Sequence, residues 1–221
     1  MKLSILLPVY NEASSLERLI ERLLAINVNK EIIAVDDGSR DASPAILEKY
    51  SNDDFYVIRH GKNGGKGAAV RLALTQARGD YVIIQDADNE LDPNDIPRLL
   101  EPIQRGDAQI VYGARDLRVQ SFGNWLGNKL LTLATNLLFG IWISDMETCY
   151  KIMPTSVMRG LNLQANSFDI EPEITAKLAR AGHKIIEIPI SYHPRTQDKK
   201  LRPLREGARA ILTLIRLRFR G

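Results

Sequence analysis

The sequence predicts an α/β protein with a mostly parallel central sheet flanked by helices. Three observations predict it. Short apolar runs alternate with segments whose apolar residues recur at helical spacing, the pattern of a parallel sheet. Several of these runs end in acids, which suits strand ends that face a ligand crevice. The 221 residues, 44% hydrophobic and 26% charged, supply one sizeable core.

The elements follow in order. Residues 3–7 form a first strand running into Pro8-Val9-Tyr10-Asn11-Glu12. Residues 13–26 place Leu16, Leu19, Ile20, Leu23 and Leu24 at i, i+3, i+4, i+7 and i+8, a helix pattern. A second strand over 30–35 ends in Asp36-Asp37-Gly38-Ser39. Asp41 is placed to cap a helix over 42–50, with Pro44 tolerated in its first turn. Residues 55–59 make a third strand, and a glycine-rich loop over 60–67 opens a helix over 68–78. A fourth strand begins at Tyr81 and ends in Asp86-Ala87-Asp88-Asn89-Glu90. Asp92-Pro93 predicts an N-cap with proline at the first position of a helix reaching residue 104. Residues 108–112 are a fifth strand. The second half is less regular. It holds a helix over 121–139 with Leu126, Leu130, Leu133, Leu137 and Leu138 on one side, then a helix over 171–181 and a strand over 184–192. A polar loop over 196–202 and a basic amphipathic helix over 205–220 close the chain.

Asp86, Asp88 and Glu90 offer oxygen ligands with no His or Cys beside them, which suits a hard cation, Mg²⁺ or Mn²⁺. Magnesium takes one or two carboxylates and completes its shell with water and substrate phosphates, so a metal–diphosphate site is the natural reading. The glycine loop is no Walker loop, because three residues rather than four separate Gly61 from Gly65-Lys66, and Gly67 follows. It is no dinucleotide fingerprint, because Val70 stands where glycine is needed. An EF-hand starting at Asp86 fails at Leu91 and Pro97. The glycines then serve close packing and a tight turn, and Lys66 is placed to neutralise a phosphate at a helix N-terminus. Asp36-Asp37-Gly38-Ser39 taken alone reads as a turn. With Tyr10 and Glu12 at one strand end and the Asp86 cluster at another, a nucleotide–metal site becomes the stronger reading.

Pro8-Val9-Tyr10-Asn11-Glu12, Asp36-Asp37-Gly38-Ser39, Asn63-Gly64-Gly65-Lys66-Gly67 and Asp86-Ala87-Asp88 resemble, in order and spacing, the family-2 glycosyltransferases of the GT-A fold. Tyr112-Gly113-Ala114-Arg115, the segment Ser144 to Lys151 and the segment Phe168 to Glu173 look like the dolichyl- or polyprenyl-phosphate sugar transferase branch. The resemblance implies a GT-A domain over 1–201, with a nucleotide-binding half to 113 and an acceptor half beyond it, and a C-terminal helix over 202–221. It implies that Pro8, Tyr10, Glu12, Asp36, Asp37, Lys66 and the Asp86-Ala87-Asp88 run hold a GDP- or UDP-sugar, with Asp86, Asp88 and Glu90 on the metal. Arg115 and Lys129 would grip the acceptor phosphate, and Arg195 and Lys200 would lie on a basic loop over the donor. The implied reaction is inverting transfer of a hexose, mannose favoured, to a dolichyl or polyprenyl phosphate, with Asp88, Arg115, Asp145 and Glu147 the candidate catalytic residues. Two alternatives stand beside it. One is transfer to a hydroxyl, with Asp145 or Glu147 as base; the other is a non-catalytic sugar-nucleotide-binding or membrane-adaptor subunit.

Charge and composition limit the partners. Net charge is +3, but six Arg and one Glu from Arg202 onward carry the excess, so a nucleic-acid surface is not indicated. The longest uncharged run, residues 130–143, is too short to span a membrane, and the N-terminus lacks signal-peptide form. The arginines and apolar residues of the last helix instead suit an anionic membrane surface. Peripheral attachment at the cytoplasmic face is expected, with a membrane-anchoring subunit or a homo-oligomer as open possibilities. Cys149 reads as a small buried side chain, and His60, His183 and His193 show no metal-ligand spacing.

Overall fold

The computed structural model describes residues 1–195 and 203–219, with side chains from Glu206 onward in the second stretch. The predicted alternation is present: β1 (Leu3–Val9), α1 (Ala13–Ala25), β2 (Lys30–Asp36), α2 (Ser43–Tyr50), β3 (Phe55–Arg59), α3 (Lys66–Gln76), β4 (Tyr81–Ile84), α4 (Ile96–Gln104) and β5 (Ile110–Arg115). After it come α5 (Phe122–Phe139), β6 (Lys151–Pro154), α6 (Thr155–Gly160), α7 (Ile170–Arg180), β7 (Ile185–Ile190) and α8 (Pro203–Phe219).

Among the described residues, seven strands form one sheet in the order β3-β2-β1-β4-β6-β5-β7. β1 pairs parallel with β2 and with β4, and β2 parallel with β3. The chain therefore winds outward from β1 in one direction and resumes at β4 on its other side. Such a reversal opens a crevice at the carboxyl ends of the two strands, where open α/β sheets bind ligands. Glu12 and the Asp86–Glu90 run lie just past those two ends.

β6 is antiparallel to both β4 and β5, and β7 returns parallel to β5. Only four residues long, β6 lacks the span over which an apolar strand pattern becomes visible. That is why neither it nor α6 emerges from periodicity. The strands of the parallel half are buried on both faces, with Ile5, Leu6, Leu7, Ile33, Ala34, Val35, Val82 and Ile83 fully enclosed.

The N-cap position of α2 falls to Ala42 and not to Asp41, which instead bonds the first residues of α2 and α1. Its Oδ1 accepts from Ser43 N at 2.9 Å and its Oδ2 from Ala13 N at 2.9 Å, so one carboxylate fastens the starts of α2 and α1. Asp92 accepts from Asn94 N at 2.8 Å and caps a 3₁₀ turn, Pro93–Asp95, that leads into α4. Cys149 is buried, as its apolar setting predicts.

α5 is turned inside out relative to an ordinary surface helix. Its buried residues are Thr132, Thr135 and Asn136, whereas Leu126, Leu130, Leu133 and Leu137 are exposed. The buried polar groups are satisfied. Asn136 donates to Ile143 O at 2.9 Å and accepts from Ile143 N at 3.2 Å, and Thr132 Oγ1 accepts from Met146 N at 3.2 Å. α8 packs against α5 and α7, burying Ala210 and Leu214 and exposing Ile211, Leu212, Ile215 and Phe219. No helix of the described residues is long and apolar enough to cross a membrane.

Candidate active site

The crevice is built by chain turns that only small polar residues tolerate. Asn11 (φ 52°) and Asn89 (φ 60°) adopt left-handed backbone just past β1 and β4, redirecting the chain beside Glu12 and Asp88. Asn11 is fixed by donating its N–H to Ser39 Oγ at 2.9 Å and accepting Arg40 N at 2.7 Å. Asn89 donates to Ser15 O at 2.8 Å. Gly65 sits at φ +95°, where a Cβ would collide with the Asn166 carbonyl, so the glycine loop allows close approach of the segment before α7.

Asp37 holds that loop. Its Oδ1 accepts from Gly64 N at 2.8 Å and its Oδ2 from Gly65 N at 2.7 Å, while His60 Nδ1 lies 2.7 Å from Oδ1. Asp36 accepts from Ser39 N at 3.0 Å within the turn. Pro8 is the last residue but one of β1, and Tyr10 is half-buried just past its end.

At the β4 end, Asp88 Oδ1 accepts from Glu90 N at 3.0 Å. Burial, reinforced by the charges of Asp86 and Glu90, pushes Asp88 up to about 7. Ala87 is buried, and its carbonyl accepts from Ser15 Oγ at 2.8 Å. A bridge between Leu91 and Tyr192, with His193 N donating to Glu90 O at 2.8 Å, draws the segment after β7 across the crevice mouth. Arg195 is thereby delivered to the site. Its Nη2 lies 2.6 Å from Glu12 Oε2, and its backbone N–H donates to Glu90 Oε1 at 2.9 Å. Lys200 lies outside the described residues.

Among the described residues no group of three or more His, Cys, Asp or Glu side chains is arranged to enclose a metal. The donor set nonetheless fits a hard divalent cation completed by substrate oxygens. Asp86 and Asp88 supply two carboxylates, the number such a cation ordinarily takes beside water and phosphate oxygens. Glu90 is engaged by Arg195 N and sits at the rim of that pair.

Arg115 ends β5 and forms a two-pronged pair with Asp145, at 2.7 Å through Nε and 2.9 Å through Nη2, with its guanidinium over the Tyr192 ring. Burial opposes the Asp145 charge, yet Arg115 holds its carboxyl below the usual range. Glu187, on β7, accepts from Ser144 N at 2.7 Å and Asp145 N at 3.1 Å and so pins this turn. Lys129, on α5, donates to Ser144 O at 3.2 Å, which brings it to the turn that holds Arg115. Glu147 is different. Burial pushes it up to about 7 against the pull of Lys151, and its Oε1 is buried with no hydrogen-bond partner among the described residues.

Lys66 opens α3 and lies 2.8 Å from Asp86 and 3.0 Å from Glu171. Glu171 also pairs with Lys151, which is fully buried. Burial works against the Lys66 charge, but Asp86 and Glu171 outweigh it and hold the ammonium well above its ordinary value. Residue patterning alone does not find Glu171, Lys151 or Glu187 as site neighbours. Each lies 20 or more residues from the partner that gives it meaning; the motif likeness around 144–151 and 168–173 includes Lys151 and Glu171 but not Glu187.

The seven-stranded sheet that reverses at β1 and β4, with acids just past both ends, makes this an α/β protein of the GT-A type. The chain belongs to glycosyl transferase family 2, whose family model matches residues 4–160. It is 31% identical over 210 residues to an undecaprenyl-phosphate 4-deoxy-4-formamido-L-arabinose transferase of Pseudomonas fluorescens, covering 91% of this chain and 61% of that protein. It is 30% identical to a dolichol-phosphate mannosyltransferase of Pyrococcus furiosus, covering 90% and 58% respectively. The chain thus spans roughly half to two thirds of the length of such curated relatives. In fold it is similar to glucosyl-3-phosphoglycerate synthase from Mycobacterium tuberculosis in complex with UDP. The TM-score is 0.78 at 20% identity, over 98% of this chain and 80% of that one.

Proposed function

We propose that the protein transfers a hexose, mannose favoured, from a GDP- or UDP-sugar to a dolichyl or polyprenyl phosphate with inversion at the anomeric carbon. The observation that carries the lipid acceptor is the inverted α5. It presents its leucines outward while Lys129 on the same helix reaches the turn that holds Arg115. An acceptor phosphate at that turn would leave its hydrocarbon chain beside the apolar face. The names of the relatives support the same acceptor class.

A phosphomonoester is mostly dianionic near pH 7, its second pKa being about 6, so it attacks without a protein base. The protein's task is to hold it in line and to neutralise charge. Arg115 suits this through bidentate contacts, with Lys129 as a second positive charge. On the donor side, Glu12, Asp36 and Asp37 flank the base and ribose. Arg195, held at the crevice by the Tyr192 bridge, would supply positive charge to the diphosphate. Asp86 and Asp88 would hold Mg²⁺ or Mn²⁺, which supplies Lewis-acid stabilisation of the departing diphosphate. The exposed apolar residues of α5 and α8, with Arg209, Arg216 and Arg218, suit peripheral attachment to an anionic membrane at its cytoplasmic face.

Glu147 gives the hydroxyl-acceptor reading its one specific support, since a carboxylate near 7 suits a general base. Asp145 suits that role poorly, being gripped on both oxygens by Arg115. The test is incubation of purified protein, membranes and a panel of GDP- and UDP-sugars with divalent metal, followed by analysis of lipid-linked product. A lipid-phosphate-linked hexose is expected. Asp86→Ala and Asp88→Ala should each abolish its formation while leaving the circular dichroism spectrum unchanged. Activity retained in either variant would sink the metal assignment, and product found only on a hydroxyl acceptor would favour the second reading.

A further inference from the structure

The Lys66 ammonium already sits against both carboxylate oxygens of Asp86. It lies 2.8 Å from that carboxylate, on a side chain only 9% exposed. Its other partner, Glu171, is 3.0 Å away and also serves the buried Lys151. The order of charges is thus Asp86, Lys66, Glu171, Lys151, alternating in sign. Glu171 already carries both ammonium groups, so a Lys66 that left Asp86 would share its remaining carboxylate with the buried Lys151.

We propose that Lys66 is a resident counter-ion that competes with divalent metal for Asp86 and is drawn off it by a nucleotide diphosphate. This rests on the reading of Asp86 and Asp88 as the metal–diphosphate site. A metal arriving alone must approach a carboxylate whose charge is already neutralised, and must sit beside a fixed positive charge. A diphosphate brings oxygens that give Lys66 a new partner at the mouth of the crevice, releasing Asp86. Metal binding is then weak without nucleotide and tight with it. Linkage requires the converse, that metal tightens nucleotide binding by the same factor.

Mn²⁺ titration followed by electron paramagnetic resonance tests this on the wild type, Lys66→Met, Lys66→Arg and Glu171→Gln, each with and without UDP or GDP. Lys66→Met should tighten nucleotide-free Mn²⁺ binding by roughly tenfold, in line with the effect of one nearby charge on a carboxylate. It should also erase most of the nucleotide dependence. Lys66→Arg, keeping the charge, should not tighten binding. Glu171→Gln should weaken nucleotide-free binding, because Lys66 is left to Asp86 alone. That variant decides the matter by its sign if Lys66→Met does not fold. Nucleotide-free affinity that is unchanged or weaker in Lys66→Met, with wild type still binding Mn²⁺ when nucleotide is present, overturns the counter-ion role alone. Failure of the wild type to bind Mn²⁺ even with nucleotide overturns the metal site and this proposal together.

Discussion

At the scale of residues, the site separates carboxylates by what surrounds them. Asp145 is charged and committed to Arg115, whereas Glu147, two residues on, is pushed up to about 7 by burial. For Arg115 the informative change is to Lys, because Arg115→Ala would strand a buried carboxylate and cost about 3–5 kcal/mol of stability. Lysine keeps the charge and loses the two-pronged contact. Arg115→Lys should therefore lower kcat/KM for the lipid phosphate by on the order of a hundredfold, the scale of losing a transition-state contact, with little change in urea midpoint. An unchanged kcat/KM would remove Arg115 from acceptor binding. Glu147 makes a prediction about pH. Below its ordinary value of 4.5 both folded and unfolded chains hold the proton. Between there and about 7 only the folded chain holds it, so this group's contribution to stability falls as pH rises through that window and is constant above it. The loss is up to about 3 kcal/mol at 1.36 kcal/mol per unit. Urea unfolding from pH 4.5 to 8 should show Glu147→Gln losing less stability than wild type over the window, and parallel curves would refute the assignment. Of these residues, the acids past β1 and β4 were legible from the strand pattern because an acid ending an apolar run is a local signal. The partners Glu171, Lys151 and Glu187 were not, because ion pairs and hydrogen bonds across 20 or more residues leave no local trace.

At the scale of elements, periodicity located α5 but could not say which side faces inward. An apolar stripe ordinarily faces the core. Here the core side is Thr132, Thr135 and Asn136, held by the 143–146 turn, and Leu126, Leu130, Leu133 and Leu137 face out. Exposed apolar stripes of this kind mark interaction surfaces. α8 packs on α5 and likewise exposes Ile211, Leu212 and Ile215, with Arg216 and Arg218 on the same helix, which suits the lipid surface proposed above. Leu130→Glu with Leu137→Glu should lower binding to vesicles containing anionic lipid at least tenfold in co-sedimentation. Because both positions are exposed, thermal stability should change by less than about 0.5 kcal/mol. Undiminished vesicle binding would leave the face to a protein partner or a second copy. β6 shows the other limit of pattern reading, since a short strand inserted antiparallel between β4 and β5 is dictated by tertiary pairing and not by its own four residues.

At the scale of the molecule, the site is a seam. Asp86 lies just past β4 and Lys66 opens α3, Glu171 and Lys151 come from α7 and β6, and Arg195 from beyond β7. The Leu91–Tyr192 bridge ties the two sides at the crevice mouth. Ligands that engage the crevice therefore stabilise both sides at once, and the gain is set by mass action. At a hundred times the dissociation constant, a ligand that binds only the folded chain adds about 2.7 kcal/mol. For a chain of this size each kcal/mol raises Tm by roughly 2–4 °C, so UDP or GDP with Mn²⁺ should raise it by about 5–10 °C. Metal alone should raise it far less, because Lys66 already neutralises Asp86. Differential scanning fluorimetry separates the cases when Asp88→Ala is run alongside. The variant removes a carboxylate held near 7 by burial and by the charges of Asp86 and Glu90, so its own Tm should not fall, yet its shift with nucleotide and Mn²⁺ should collapse to that of nucleotide alone. A full shift in Asp88→Ala would mean that the crevice binds nucleotide without metal at this acid.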